Sequence, residues 1–489
     1  MNLKEIEATA LKRNSKVAPP ELFRTPATEL TAAIRAKQLS PVELTEAFLA
    51  RIEAVNPAIN AFLAFDADLA LDSARAAEGA VMRGEELGPL HGLPVPIKDL
   101  EPSAGLRHTS GSILQKDQIA DFDGAVTSRV KAAGGIIIGK TNTPHLGHKD
   151  MCDNLLGEPG RNPWNTDRTP GGSSGGAAAA VAAGLCPLAH GSDGAGSIRI
   201  PSALCGVFGF KPSFGRLPYW PSVDIWSARS HNGPISRTVA DAALFTQAAA
   251  GPDPRDPTAI ANRPEDYLAA VADPLPALRG LRVAWSADFG YAAVNPDVRR
   301  LAGEAAQRFA DLGCNVEAVD PGWDNPRPGA EVCWFVSMAA RVGQAYDESP
   351  DAFEPSLVEM IQQGRRYSGE EHGRAEVSRT VFYNQAREFF EGYDLLLTPQ
   401  MPLTAWRVDD WPAEIDGTPT PSIFDRLPFT YPFNLTGQPA ASVPCGFASD
   451  GLPVAIQIVG RYHADTLVLQ AAAAFEQAMP WADAWPEVE

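Results

Sequence analysis

The chain has 489 residues, enough to bury a large core, with roughly 75% of its unfolded surface hidden on folding. Apolar residues make up 45% of it and charged residues 21%, which is ordinary for a globular protein. The 41 basic and 60 acidic residues give a net charge of −19, which repels phosphate backbones and anionic membranes and therefore argues against nucleic acid or membrane partners.

The six cysteines form no C-x-x-C pair, and in a chain of this length they are typical of reduced, buried apolar side chains. The N-terminal residues lack the apolar stretch of a secretory signal. No run of about 18 apolar residues occurs that could span a bilayer. We therefore expect a cytoplasmic protein.

The first predicted elements are a loose polar arm over residues 1–20 and then a pair of helices. The second helix has a clear start, because Ser40 is a capping residue, Pro41 fits the first helical position and Glu43 completes a capping box. Apolar residues then recur at helical spacing at Leu44, Phe48, Ile52 and Val55.

From about residue 90, short β-branched runs alternate with helical segments. This pattern predicts an α/β fold with a sheet layered by helices. An alanine-rich stretch at 177–183 predicts a short helix that ends at Gly184. The predicted strands cover residues 93–97, 136–138, 283–285, 316–319, 395–397 and 454–459.

The sequence pattern changes again after residue 250. Residues 251–290 are rich in proline and charge and are predicted to be a crossing loop. A helix is predicted over 297–312, residues 325–390 are predicted to be mostly helical, and the last hundred residues return to strand-like patterns. Because the chain leaves the alternating strand and helix pattern and later returns to it, we expect one domain with an insertion.

The candidate catalytic serines lie in two glycine-dense loops. The first, residues 171–176, contains Ser173 and Ser174 and lies directly ahead of the alanine-rich helix. Glycine allows a close backbone approach and positive φ, features that cluster at working sites. A serine hydroxyl is a weak nucleophile until a base takes its proton, and the nearest plausible base upstream is Lys98.

The second loop, residues 192–201, presents the successive N–H groups of Gly194, Ala195, Gly196 and Ser197 with little side-chain bulk. Such a segment can form a nest that binds an oxyanion. Asp193 and Arg199 flank it, and we expect them to pair with each other or with the neighbouring backbone and so hold the loop in shape. Direct binding of a substrate carboxylate by Arg199 is the less favoured alternative.

Three other motifs compete with this interpretation. Residues 171–175 match the G-x-S-x-G nucleophile elbow of α/β-hydrolases, and its histidine could be His190, His231, His372 or His463. This esterase alternative leaves Lys98 and the second serine loop without a role. Residues 134–141 match a phosphate-binding loop, but their three isoleucines are strand-like, with N–H groups committed to a ladder. His145 and His148 suggest a metal pair, but no third ligand is evident.

Together, these segments resemble the amidase signature family, and so many blocks in order are highly specific. The resemblance extends roughly over residues 25–245 and 390–480. The blocks that carry it are residues 92–99, 140–144, 161–165, 171–176, 193–201, 205–212, 233–241 and 432–440.

The resemblance implies an α/β fold in which a mixed β-sheet is sandwiched between layers of helices. It also implies that Ser197 is the acyl-enzyme nucleophile, Ser173 a bridging serine after a cis peptide bond, and Lys98 the base. The N–H groups of 194–197 would form the oxyanion hole, with Ser174, Asp193 and Arg199 in support. No metal or cofactor is implied.

The domain organisation implied by the resemblance is an N-terminal arm over 1–24 and a single domain over 25–489. This domain comprises a signature core at about 75–245, a helical, pocket-forming insertion at about 251–390 and a return to the sheet at about 391–480. Ala195 departs from the family pattern, in which a second glycine is usual, and its methyl group would narrow the loop or redirect one N–H. The sequence resembles the bacterial branch that includes the 6-aminohexanoate cyclic-dimer hydrolases.

Lys98 can act as a base near pH 7–8 only if its ordinary pKa of about 10.4 falls by about 2–3. Burial provides that change, since desolvation disfavours the charged amine. Lys98 follows Val95 and Ile97 on a predicted buried strand. Neutral Lys98 would then take a proton from Ser173, which would take one from Ser197.

The predicted function is hydrolysis of amide bonds, with esters and carbamates also accessible, in small and partly hydrophobic substrates. Trp220, Trp334 and Phe335 are the candidate pocket residues. The alternatives are a glutaminase subunit of a tRNA-dependent amidotransferase, the esterase above and a non-enzymatic interaction protein. The expected partner is a small amide, and a homodimer stays open.

Overall fold

The computed structural model describes residues 19–224, 229–262 and 265–488. Most of the predicted arm, residues 1–18, lies outside this part of the chain. The helices are α1 (Pro19–Leu22), α2 (Ala27–Arg35), α3 (Pro41–Ile59), α4 (Ala67–Arg83), α5 (Ala125–Ala132), α6 (Gly175–Ala182), α7 (Arg199–Cys205), α8 (Val239–Ala249), α9 (Tyr267–Ala272), α10 (Leu275–Leu278), α11 (Pro296–Asp311), α12 (Arg327–Glu348), α13 (Pro355–Gly364), α14 (Gly369–Gly392), α15 (Pro432–Leu435) and α16 (Asp465–Ala478).

The strands form one large mixed sheet, one small sheet and a short hairpin. They are β1 (Phe62–Ala64), β2 (Pro94–Lys98), β3 (Ile136–Thr141), β4 (Leu188–Asp193), β5 (Phe208–Lys211), β6 (His231–Ser236), β7 (Arg282–Trp285), β8 (Asn315–Ala318), β9 (Leu395–Pro399), β10 (Glu414–Ile415), β11 (Thr418–Pro419), β12 (Ala440–Phe447) and β13 (Pro453–Gly460).

The large sheet has eight strands in the order β4-β6-β5-β12-β13-β9-β7-β8. Its pairs are antiparallel from β4 to β9, and β9-β7-β8 run parallel. The small sheet has the order β1-β3-β2, with β2 and β3 parallel. Helices α7, α11 and α16 pack on the large sheet. The predicted mixed α/β fold is therefore confirmed.

Several elements begin and end where the sequence predicts. The Ser40 hydroxyl accepts hydrogen bonds from the N–H groups of Val42 and Glu43, so it caps α3 as expected. Helix α6 is buried along its whole length, which its small side chains allow. A Cβ at Gly176 would lie 2.4 Å from the carbonyl oxygen of Ala61, so only glycine fits there.

Residues 251–290 differ from the crossing loop that was predicted, because they contain α9 and α10; β7 also lies in this range and agrees with the strand predicted at 283–285. Strands β7 and β8 also lie inside the expected helical insertion, at about 251–390, and pair into the large sheet. The mainly helical part of that segment is α12 to α14. Proline and charge concealed α9 and α10, which are short, whereas the two strands correspond to those predicted at 283–285 and 316–319.

Two apolar clusters form the core. One surrounds β7, β9, β12 and β13 with α11 and α16, and the other surrounds β2 and β3 with α3, α4 and α6. The loop that precedes α6 and the loop that joins β4 to α7 lie close together. Within the residues described, no helix is both long enough and apolar enough to cross a bilayer.

Candidate active site

The structure brings Lys98 and Ser173 into direct contact. Lys98 is the last residue of β2, and Ser173 lies two residues before α6. The Nζ atom of Lys98 is 2.7 Å from the Oγ of Ser173 and 3.2 Å from the carbonyl oxygen of Ser192 on β4. The lysine and the first serine loop therefore form one hydrogen-bonded unit.

The Lys98 side chain is fully buried. Desolvation disfavours the charged amine and lowers the pKa of Lys98 to about 7, although the nearby Asp193 carboxylate acts in the opposite direction. A substantial fraction of the amine is therefore neutral near pH 7 and can accept a proton. This is the change that the sequence analysis required of a lysine base.

The first serine loop is held in a defined shape. The peptide bond between Gly172 and Ser173 is cis. A Cβ at Gly172 would lie 2.3 Å from the carbonyl oxygen of Met151, which explains the glycine. The Ser174 hydroxyl donates to the carbonyl of Ser192 at 3.1 Å and accepts from its N–H at 3.2 Å. Ser174 thus fixes the loop against β4, as expected of a supporting residue.

Ser197 lies beside this unit. The N–H of Ser174 donates to the carbonyl oxygen of Ser197 at 3.1 Å, so the two serine loops are directly bonded. The Ser197 side chain is buried and lines a cleft together with Gly172. Within the described residues, its hydroxyl makes no hydrogen bond to protein, and no bond joins it to the Ser173 hydroxyl.

The loop at 194–197 provides fewer free donors than the sequence suggested. The N–H of Gly196 donates to the Asp193 carboxylate at 2.7 Å, so it is not available to a substrate carbonyl oxygen. The assignment of Gly196 as an oxyanion donor is therefore corrected. In the described part of the chain, the N–H groups of Gly194, Ala195 and Ser197 have no protein acceptor. The Ala195 backbone does not have a positive φ, so its methyl group causes no strain.

Asp193 and Arg199 hold this loop, as expected. Nε of Arg199 lies 3.0 Å from a carboxylate oxygen of Asp193, and both side chains are fully buried. The guanidinium also donates to Asn434 at 2.7 Å and to Gln457 at 2.8 Å. All three of its nitrogens thus have protein acceptors, and the less favoured role in binding a substrate carboxylate is not supported. Burial opposes ionisation of Asp193, but the Arg199 charge outweighs it and holds the pKa of this carboxyl below its ordinary value.

Sequence reasoning missed the residues that secure the loop from the C-terminal third of the chain. Asn434 donates to both the carbonyl and the carboxylate of Asp193 at 2.8 Å, and Thr430 donates to the carbonyl of Ala195 at 2.6 Å. The block at 432–440 was part of the family resemblance, but nothing in it indicated a contact more than 230 residues back along the chain.

A narrow cleft, open to solvent, lies beside Ser197. Of the candidate pocket residues, only Trp334 lines it. Phe335 is buried and its ring packs against Phe424, while the Trp220 ring packs against Phe122 and Arg255. The pocket roles of Phe335 and Trp220 are therefore corrected. The apolar side chains of the lining are Ala195, Ile200, Trp334, Ile423, Phe424 and Leu427.

Three ionisable residues also line the cleft, and each has protein partners. Lys149 pairs with Asp153 at 2.7 Å and with Glu354. Burial alone would lower the pKa of Lys149, but these two carboxylates outweigh it and raise the pKa. The carboxylate of Asp150 receives two hydrogen bonds from the Arg426 guanidinium, at 3.0 and 3.2 Å.

The third ionisable residue is His148. Its ring nitrogens each lie 2.8 Å from a protein oxygen, the carbonyl of His145 and the hydroxyl of Ser356. Both ring nitrogens of His148 therefore have partners within the protein, which argues against a metal pair with His145. Desolvation by burial holds the pKa of His148 well below its ordinary value. Among the described residues of the lining, no charged group lacks a partner.

The esterase alternative requires a histidine beside Ser173, and none of the candidate histidines contacts it in the described part of the chain. His190 lies 3.0 Å from the side-chain oxygen of Asn232, and His231 contacts the carbonyl of Asp193 at 3.3 Å. His372 approaches Glu376, and the His463 ring packs on Tyr462. The Ser173 hydroxyl instead accepts a hydrogen bond from Lys98.

The remaining motifs do not form ligand sites. The residues of the phosphate-loop match from Ile136 to Thr141 form β3, which pairs on both sides. A Cys333, His372 and Glu376 group has ligand atoms within 4.8 Å of one another. Guanidinium nitrogens of Arg229 and Arg379 lie 3.3 and 3.7 Å from Glu376, which opposes a cation there.

Comparison with known proteins agrees with this geometry. A family model described as Amidase matches residues 43–469. The chain is 40% identical to an acylamidase from Rhodococcus erythropolis over 94% of this chain and 96% of that protein. It is 36% identical to a glutamyl-tRNA(Gln) amidotransferase subunit from Moorella thermoacetica over 96% of this chain and 99% of that one.

Two solved structures superpose on nearly the whole chain. A bacterial aryl acylamidase of the amidase signature family has a TM-score of 0.88 and 32% identity, covering 94% of this chain and 98% of that one. A 6-aminohexanoate cyclic dimer hydrolase in complex with substrate has a TM-score of 0.86 and 31% identity, covering 95% and 99%.

Proposed function

Because this chain belongs to the amidase signature family and is an amide hydrolase, we propose that it cleaves neutral amides with an apolar acyl group by way of an acyl-enzyme on Ser197. The observation that carries this proposal is the composition of the cleft. Apolar side chains form most of its lining, and the charged groups in it are already paired inside the protein.

The cleft composition favours an acylamidase over a glutaminase. Glutamine carries an ammonium and a carboxylate, and each would lose its hydration in the cleft without gaining a counter-charge. Burial of an unpaired charge costs several kcal/mol, whereas an apolar acyl chain gains free energy on leaving water. We therefore do not propose glutamine as the preferred substrate of this chain, despite its similarity to an amidotransferase subunit.

The proposed mechanism begins with neutral Lys98. It takes the proton of Ser173, whose hydroxyl takes that of Ser197 once the Ser197 side chain has turned toward it. The Ser197 oxygen forms a bond to the carbonyl carbon, and the oxyanion accepts hydrogen bonds from free N–H groups among Gly194, Ala195 and Ser197. The C–N bond breaks as the relay returns a proton to the amine. Water then releases the acid from Ser197 by the same relay.

Two measurements test the proposal. A fluorophosphonate probe followed by peptide mapping is expected to place the adduct on Ser197. Labelling should disappear in Ser197→Ala and persist in Ser236→Ala, a buried serine of β6 outside the cleft lining. An adduct on Ser173 or Ser174 instead would favour the esterase alternative.

The second measurement compares a hexanoyl anilide with glutamine. We expect kcat/KM for the anilide to exceed that for glutamine by about 10³ or more, since about 4 kcal/mol of charge desolvation separates them. A preference for glutamine would overturn the proposed substrate class and support the amidotransferase alternative.

A further inference from the structure

We infer that Thr430 is a positioning residue that fixes the peptide plane between Ala195 and Gly196 and thereby sets the oxyanion loop for catalysis. Thr430 is fully buried and lies between the cleft-lining residue Leu427 and helix α15. Its hydroxyl donates to the carbonyl oxygen of Ala195 at 2.6 Å, which is the nearer of two acceptors, since the carbonyl oxygen of Leu427 lies 3.1 Å away. This inference rests on the proposed function, because it assumes that the loop binds the oxyanion.

The peptide plane between Ala195 and Gly196 is held at both of its polar ends. Thr430 holds the carbonyl oxygen, and Asp193 accepts from the N–H at 2.7 Å. Since a peptide unit is planar, two anchors at opposite ends prevent its rotation. Without the Thr430 hydroxyl, Asp193 would be the remaining anchor of this plane among the described residues, and the buried Ala195 carbonyl would lose this hydrogen bond.

The next peptide plane shares the Cα of Gly196 with the first and has an anchor of its own. The carbonyl of Gly196 accepts from the N–H of Ile200 at 2.7 Å. In a trans peptide the carbonyl and the N–H point in opposite directions, so this bond also fixes the direction of the Ser197 N–H. Gly196 has a φ of +127°, and a Cβ there would lie 2.6 Å from Thr430. The approach of Thr430 is thus close enough to require glycine.

Thr430 is itself fixed by the ion pair that holds the loop. The Arg199 guanidinium donates to the Thr430 carbonyl at 3.0 Å and to the Asp193 carboxylate. Arg199 therefore joins the backbone of residue 430 to one end of the loop, while the Thr430 hydroxyl contacts its middle. A hydroxyl with a fixed backbone can orient a peptide plane, whereas a mobile one could not.

The positioning role predicts a specific kinetic result. Loss of a direct oxyanion donor costs about 10²–10³ in kcat, and a misaligned donor costs part of that. We expect Thr430→Val to lower kcat about tenfold to a hundredfold while KM stays within about twofold, because the valine keeps the shape of the side chain but cannot donate.

Three other variants separate orientation from packing. Thr430→Ser keeps the hydroxyl and should retain most of the wild-type kcat. Thr430→Ala lacks the hydroxyl and provides the kcat measurement if the valine variant does not fold. Thr246→Val is the control, since Thr246 is an equally buried threonine that donates to the carbonyl of Ala242 in α8, and its kcat should not change.

The assay measures kcat, KM and the pH dependence of kcat/KM with the hexanoyl anilide, alongside Ser197→Ala. The inference predicts a fall in kcat with the low-pH inflection of the rate unmoved, because Lys98 is untouched. An unchanged kcat in Thr430→Val, or a serine variant as slow as the valine variant, would overturn it. Full activity of Ser197→Ala would instead overturn the proposed function, so the two failures are distinguishable.

Discussion

Replacing Lys98 by methionine should remove activity and yet stabilise the protein near neutral pH. Methionine has a similar length and no charge, so it fits a buried, apolar position. The wild-type lysine is ordinarily protonated up to a pKa of 10.5, but burial lowers this to about 7 in the folded protein. Folding at neutral pH therefore requires loss of a proton, or burial of a charge, which costs free energy.

The magnitude follows from these two pKa values. Above pH 10.5 the amine is neutral in both the folded and the unfolded protein, so the free-energy cost is absent. The cost grows as the pH falls toward 7 and is constant below pH 7. At 1.36 kcal/mol for each pKa unit, the cost is about 4 kcal/mol at pH 7 and about 2 kcal/mol at pH 9. Because the unfolded chain binds the extra proton in this window, wild-type stability rises with pH.

We therefore expect Lys98→Met to unfold at higher urea concentration than the wild type at pH 7. The advantage should be about 2 kcal/mol smaller at pH 9, whatever the lost hydrogen bonds contribute, since they contribute equally at both pH values. The control is Lys131→Met, which removes an exposed partner of Asp123 and should change the free energy of unfolding by under about 1 kcal/mol.

Activity should change in the opposite direction. General-base catalysis contributes about 10²–10⁴, so kcat/KM of Lys98→Met for the hexanoyl anilide should fall by about that factor. In the wild type, kcat/KM should increase with pH and level off above about pH 7, as Lys98 becomes neutral. A methionine variant that is no more stabilised at pH 7 than at pH 9, or a wild-type rate independent of pH from 5 to 8, would refute this reasoning.

Two further predictions concern the loop and the cleft. Arg199→Met should lower the free energy of unfolding by about 3–5 kcal/mol, because it leaves the buried Asp193 carboxylate without a counter-charge; a urea midpoint equal to the wild type would contradict this. Trp334→Ala should raise KM for the hexanoyl anilide about tenfold, since about 1.4 kcal/mol of apolar contact is lost. Trp220→Ala is the matched control, and its KM should stay at the wild-type value because that ring packs against Phe122 and Arg255.

The sequence predicted the α/β fold, the contact between Lys98 and Ser173 and the pairing of Asp193 with Arg199. These residues could be found because each lies in a short segment with an unusual composition. Dense glycine marks a close approach of backbone, and a lysine at the end of an apolar strand marks a buried amine. Such signals are local, so one segment is enough to recognise each of them.

The contacts of Thr430 and Asn434 with the loop at 193–197 could not be predicted in the same way. Threonine and asparagine are common residues, and their partners lie more than 230 positions away. Helix geometry explains the error at Phe335, because adjacent residues on a helix lie about 100° apart, and Trp334 already faces the cleft. For Gly196, the sequence shows how many N–H groups the loop contains. It does not show which of them donates to the Asp193 carboxylate.

The ion pair between Asp193 and Arg199 also affects Lys98, the residue that we propose as the base. Asp193 acts to raise the pKa of Lys98, which would keep the amine charged and inactive at neutral pH. Arg199 lies against the same carboxylate and offsets its negative charge at a distance. The arginine therefore serves two needs, because it fixes the shape of the loop at 194–197 and offsets the charge of Asp193 near Lys98. Burial then determines the charge state of the lysine, and a buried amine becomes compatible with a buried carboxylate nearby.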